Sequence, residues 1–152
     1  MYKLVDLFPY YDPEENYSRD RPDVKRVLRH LRQIAYILLD RHFDGSTLRF
    51  GELMKAVSAM TGQTHVFYGC CVAIMDLNDL FYEQTGHLIG ACLLGRDGSP
   101  SKRFFEKAVE LGLLDEQASP AEREEFWMEE AEFFQRKSWG QLLDMLDDIF
   151  GE

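Results

Sequence analysis

Residues 86–114 read GHLIGACLLGRDGSPSKRFFEKAVELGLL, and no other run limits the fold of this chain as much. Its first part, 87–94, is short, continuous and apolar, bounded by Gly86 and Gly95. That pattern predicts a buried strand. Asp97-Gly98 predicts a tight turn. Ser101 then stands where a helix cap belongs, before a helix over 102–111 with Phe104, Phe105, Ala108 and Leu111 facing inward. A strand buried on both faces needs helices to cover it, and the rest of the chain supplies them.

Pro22-Asp23 predicts the start of a long helix reaching to about residue 42. Val24, Val27, Leu28, Leu31, Ile34, Ala35 and Leu38 recur along it at helical spacing. Asp44-Gly45 predicts a turn, 47–50 a short extended piece, and 51–60 a short helix with Leu53, Met54 and Val57 inward. Thr64 is the expected cap of the next helix, which runs to about residue 85 and ends at Gly86. Its apolar stripe is Phe67, Cys70, Cys71, Ile74, Leu77, Leu80 and Phe81. Ser119-Pro120-Ala121-Glu122 and Ser138-Trp139-Gly140-Gln141 each predict a capping box opening a further helix. The first carries Phe126, Trp127, Phe133 and Phe134, the second Leu142, Leu143, Leu146, Ile149 and Phe150. Phe126, Trp127, Phe133 and Phe134, with Trp139, are read as core packing, the alternative being a partner-binding surface.

Extended piece, helix, helix, strand and turn, in that order, describe a winged-helix centre. The expected fold class is therefore α+β and mostly helical, with a winged-helix-like core, a short sheet and additional helices at both ends. The expected organisation of the 152 residues is one domain: an irregular arm over 1–22, the core over 23–114, and an acidic helical extension over 115–152. The arm is broken by Pro9, Pro13 and Pro22, yet apolar enough that it is expected to pack across the domain.

The runs FGELMKAV at 50–57, LIGACLLGRDGSP at 88–100, RFFEKAVELG at 103–112 and EEFWMEE at 124–130 resemble a widespread family of small bacterial and phage proteins. That family shows a "YGEL" helix start, an "LVV" strand, a "TG-PG" turn, a "GFF..A..LG" helix and a late "FW..E". The resemblance spans 48–128, and Ser101 and Arg103 stand where the pattern has glycines. It implies a bacterial or phage origin and brings no activity with it. A weaker similarity is to the DNA-binding half of alkyltransferase-like repair proteins, whose reactive Pro-Cys-His-Arg motif is absent here.

The net charge of −10 is unevenly spread. Residues 1–107 hold 14 Lys and Arg against 14 Asp and Glu, whereas residues 108–152 hold 3 against 13. A neutral body with an acidic end speaks to partners. Arg19, Arg21, Lys25, Arg26, Arg29 and Arg32 cluster in 14 residues. Lys25, Arg29 and Arg32 fall along one side of the first expected helix. With Arg96, Lys102 and Arg103 around the expected wing, they form the candidate surface for nucleic acid or an acidic partner. The alternative is internal: the stripe pairs with the acidic C-terminal helices. The expected recognition helix, 64–85, has no Lys or Arg, which argues against major-groove reading. Glu122, Glu125, Glu129 and Glu132 make a candidate acidic face for a protein partner.

Nothing assembles a reaction centre. Cys70, Cys71 and Cys92 match no disulfide framework or zinc signature, and Cys92 has no neighbouring His to activate it. Asp76, Asp79 and Glu83 share a helix face and read as solvated. Glu52 and Lys55 match the tail of a nuclease motif without its preceding acidic residue. His30, His42, His65 and His87 show no metal-ligand spacing, and His87 is expected to make a strand-end hydrogen bond. No catalytic residue, metal or cofactor is expected. No run approaches the roughly 18 apolar residues of a membrane span. The start, MYKLVDLFPYYDPEE, is not that of a secretory signal, so the cytoplasm is the expected location. The expected function is a non-enzymatic protein-interaction or regulatory protein, in its sharpest form an acidic antagonist of a nucleic-acid-processing machine. The alternative is a nucleic-acid-binding winged-helix protein using the basic first helix. A protein partner is favoured, nucleic acid is the second choice, no membrane is involved, and the oligomeric state stays open.

Overall fold

The computed structural model describes residues 17–151, so residues 1–16 of the expected arm lie outside the described residues. The chain is mostly helical. Its elements are α1 (Pro22–Leu28), α2 (Leu31–Asp44), β1 (Leu48–Arg49), α3 (Phe50–Thr61), α4 (Phe67–Thr85), a 3-10 turn (Ile89–Cys92), β2 (Leu93–Leu94), α5 (Lys102–Glu110), α6 (Pro120–Gln135) and α7 (Trp139–Phe150). β1 and β2 pair in parallel, Leu48 opposite Leu93 and Arg49 opposite Leu94.

Local chemistry explains most boundaries. Gly45, Gly62 and Gly86 end α2, α3 and α4. Ser119 accepts from the Glu122 N–H at 3.2 Å while Glu122 accepts from the Ser119 N–H, and Ser138 with Gln141 does the same for α7. Both capping boxes form as the sequence predicts.

Three expectations are corrected. The first long helix is two. His30 leaves the helical region at φ −110°, ψ 22°, and the chain changes direction there. α1 lies close against α4 through Gly69, where a Cβ would sit 2.5 Å from the Val27 Cγ2. Ile34, Ala35 and Leu38 meanwhile turn α2 into the main core. Second, Val66 rather than Thr64 precedes α4, and no side chain caps it.

Third, the apolar run 87–94 is buried but is not a strand throughout. Two core clusters flank it. The larger joins α1, α2, α3, α4, α6 and α7; the smaller joins α5 to α6 around Phe104, Ala108, Phe126 and Trp127. Leu88 and Ala91 enter the smaller cluster, Ile89 and Cys92 the larger. That is a period of three, which a 3-10 turn supplies and a strand does not. Only Leu93 and Leu94 are extended and paired. The Asp97-Gly98 turn closes with the Gly95 N–H donating to Ser99 O at 2.9 Å. Among the described residues no strand returns from it, so the expected wing is a turn leading to α5.

Candidate functional site

A buried stretch of irregular backbone needs partners for its N–H and C=O groups. Residues 88–92 find them on side chains of three helices. The Leu88 N–H donates to Glu130 Oε1 at 3.0 Å, and the Gly90 N–H to Asn78 Oδ1 at 2.8 Å. His42 Nε2 meets Ile89 O at 2.8 Å, and the Trp127 indole donates to Ala91 O at 2.6 Å. Glu130 is buried and also accepts from His87 Nδ1 at 2.6 Å, so His87 makes the segment-end hydrogen bond expected of it. His87 stacks on Phe133, and His42 on Phe134. Burial pushes His42 down to about 4, so its ring is neutral, and its Nδ1 has no partner.

These groups are structural. Sequence reading missed His42, Asn78 and Glu130 as a set. Each is a polar residue at a core position: His42 four after Leu38, Asn78 four after Ile74, Glu130 three after Trp127 and four before Phe134. That interruption of an apolar stripe was the available signal.

Beside this segment opens a cleft of about 1110 Å³, walled by α3, α4, β2 and α5. Its floor is apolar, formed by Phe50, Met54, Phe67, Ile74, Met75, Leu93, Leu94 and Phe104. Its rim carries Arg49, Lys55, Arg96, Lys102, Arg103 and Lys107 against Glu52, Glu106 and Glu110. Each of those acids is held: Glu52 by Arg41 at 3.9 Å, Glu106 by Lys102 at 3.8 Å, and Glu110 by Lys107 at 3.4 Å. Among the described residues, Arg49, Lys55, Arg96 and Arg103 have no carboxylate partner. Arg103 lies over the Tyr17 ring at 4.3 Å. The Ser99 amide holds the Asp97 carboxylate, next to Arg96, below its usual pKa.

The candidate basic residues therefore divide. Arg96, Lys102 and Arg103 come together on the cleft, joined by Arg49, Lys55 and Lys107, which the sequence did not single out. The N-terminal group is not one stripe, because the break at His30 separates Lys25 and Arg26 from Arg32. Arg19 pairs with Asp76, Arg21 with Asp23 at 3.0 Å, and Arg26 donates to Gln63 at 3.3 Å. Arg32 meets Asp147 of α7 at 2.6 Å. Lys25 and Arg29 are exposed and have no ion-pair partner among the described residues. Asp76 and Asp79, expected to be merely solvated, hold Arg19 and Lys107.

The acidic face of α6 does not cover the basic residues of α1 and α2. Glu122 caps its own helix and Glu132 pairs with Arg136. Glu125 and Glu129 are exposed and unpaired among the described residues. Phe134 is in the main core, while Phe126 and Trp127 pack on the smaller one.

Burial pushes the thiols of Cys70 and Cys92 up to about 12 and that of Cys71 to about 11, far from the thiolate at neutral pH. Among the described residues no group of His, Cys, Asp and Glu gathers into a metal site, and no helix is long and apolar enough to cross a membrane. No family model, curated protein or solved structure matches the chain.

Proposed function

We propose that the protein is a non-enzymatic interaction or regulatory protein whose working surface is the cleft between α3, α4, β2 and α5. It takes a segment of a partner protein that carries both apolar and acidic side chains. One observation carries this reading: four rim cations without a carboxylate partner among the described residues surround an apolar floor, in a chain of net charge −10. An internal role would have paired those cations, as it pairs Lys107 and Lys102. Exposed Phe67 and Met75 suit an adaptable apolar contact. The resemblance to small bacterial and phage proteins belongs to this proposal, and so does the winged-helix-like core. Element order supports the latter: β1, α3, α4, then the Gly95–Ser99 turn in the place of the wing.

The cleft favours a peptide over nucleic acid. The net charge of −10 repels a polyanion at long range, while the apolar floor and cationic rim suit a segment with both apolar and acidic side chains. A displayed random-peptide library tests the reading. The parent should enrich peptides with acidic residues flanking Leu, Phe or Met, and Arg96→Glu with Arg103→Glu should lose them. No enrichment, or enrichment that survives both changes, overturns it. Tight, steeply salt-dependent binding of DNA or RNA by the parent would transfer the cleft to the nucleic-acid reading.

A further inference from the structure

We propose that the cleft also takes the acidic face of α6 from a second copy of this chain. The inference rests on the cleft being a docking surface, and names one occupant for it.

α6 presents the chemistry that the cleft selects. Met128 is 60% exposed, the most exposed of the large apolar side chains among the described residues. Glu124, Glu125 and Glu132 lie at i−4, i−3 and i+4 from it, so they ring it on the same helix face. All three are exposed, and Glu124 and Glu125 have no ion-pair partner among the described residues. An apolar knob within a carboxylate ring matches an apolar floor within a cationic rim.

The two surfaces do not meet within one chain. The opposite face of α6 is fixed on residues 88–92 through Trp127 and Glu130, and no α6 residue lines the cleft. Met128 therefore points outward, and complementary surfaces on different faces of one molecule meet between molecules. Such a contact is head-to-tail, giving a ring if the rotation closes and a filament if it does not. Rim pairs of this kind weaken with salt.

Sedimentation of the full chain over a wide concentration range, at low and high salt, is the first measurement. Average mass should rise with concentration at low salt, and association should weaken about tenfold or more at high salt. Two variants sharpen it. Met128→Lys with Glu125→Lys disables the face and keeps the cleft; Arg96→Glu with Arg103→Glu disables the cleft and keeps the face. Each alone should be monomeric, and their mixture should form a pair that grows no further. All four positions are exposed, and circular dichroism checks each fold; Met128→Ala and Arg103→Gln replace any variant that fails it. A parent that stays monomeric at low salt, or a mixture that does not pair, overturns the proposal. A monomeric parent that still enriches acidic peptides through Arg96 and Arg103 overturns self-association alone. Loss of both overturns the docking reading as well.

Discussion

Residues 88–92 and the cleft meet at Gly90, yet they treat polar groups in opposite ways. Inside, the backbone groups of Leu88, Ile89, Gly90 and Ala91 each have a side-chain partner from α2, α4 or α6. Outside, Arg49, Lys55, Arg96 and Arg103 stand around an apolar floor with no carboxylate among the described residues to hold them. Unpaired groups are costly in the interior and nearly free at the surface. The satisfied region therefore belongs to stability, and the unsatisfied one is available for a partner.

Breaking the interior set should give the largest effect. Glu130→Ala removes the acceptor for Leu88 N–H and for His87, and should lower stability by about 3–4 kcal/mol. Urea denaturation reads it as a fall in midpoint at unchanged slope. A loss below ~1 kcal/mol would show that the segment holds without its clamp.

Acid should act on the same region through His42. Its folded pKa, about 4, lies below the ordinary 6.5, so the unfolded chain binds the extra proton first. The stabilisation is complete above about pH 6.5 and is lost as pH falls towards 4, by up to about 3 kcal/mol. Stability of the parent and of His42→Phe, followed between pH 7 and pH 4, should differ in slope across that window. Parallel curves would remove His42 from the acid response.

A smaller change should follow from crowding the segment. A Cβ on Gly90 would lie 3.0 Å from Asn78 Oδ1 and 3.1 Å from Nδ2. Asn78 is buried and has little room to give, so Gly90→Ala should cost about 1–2 kcal/mol. Unchanged stability would show that Asn78 yields.

The rim should respond least in stability and most in binding. Lys55→Ala, Arg96→Ala and Arg103→Ala should each stay within about 0.5 kcal/mol of the parent. Arg32→Ala should do the same, because its pair with Asp147 is solvent-exposed. A rim variant that loses more than ~1 kcal/mol would return that cation to the structural set.

Much of the fold is legible along the chain. The caps at Ser119 and Ser138, the glycine stops and the apolar faces of α2, α4 and α7 all follow from local pattern, whereas the pairing of 48–49 with 93–94 joins residues far apart in the chain. The candidate site is legible only in part. Arg96, Lys102 and Arg103 stood out around a turn signal, but Arg49, Lys55 and Lys107 are scattered along the sequence and look like ordinary surface cations. Local spacing shows pairs within one helix, such as Lys102 with Glu106, but not those whose carboxylate lies on another element, as Asp79 does for Lys107 and Asp147 for Arg32.

By itself, then, the sequence determined most helix ends, such as the caps at Ser119 and Ser138 and the stops at Gly45 and Gly86, which faces are apolar, and that its acidic excess falls after residue 107. Those properties depend on spacing within a few residues. Tertiary structure decided how closely α1 lies on α4, because Gly69 leaves room for Val27. It decided that 89–92 coils with a period of three, because two cores claim alternate pairs of its side chains. It also decided which cations remain unpaired over an apolar floor, since that depends on side chains brought together from α3, α4, β2 and α5.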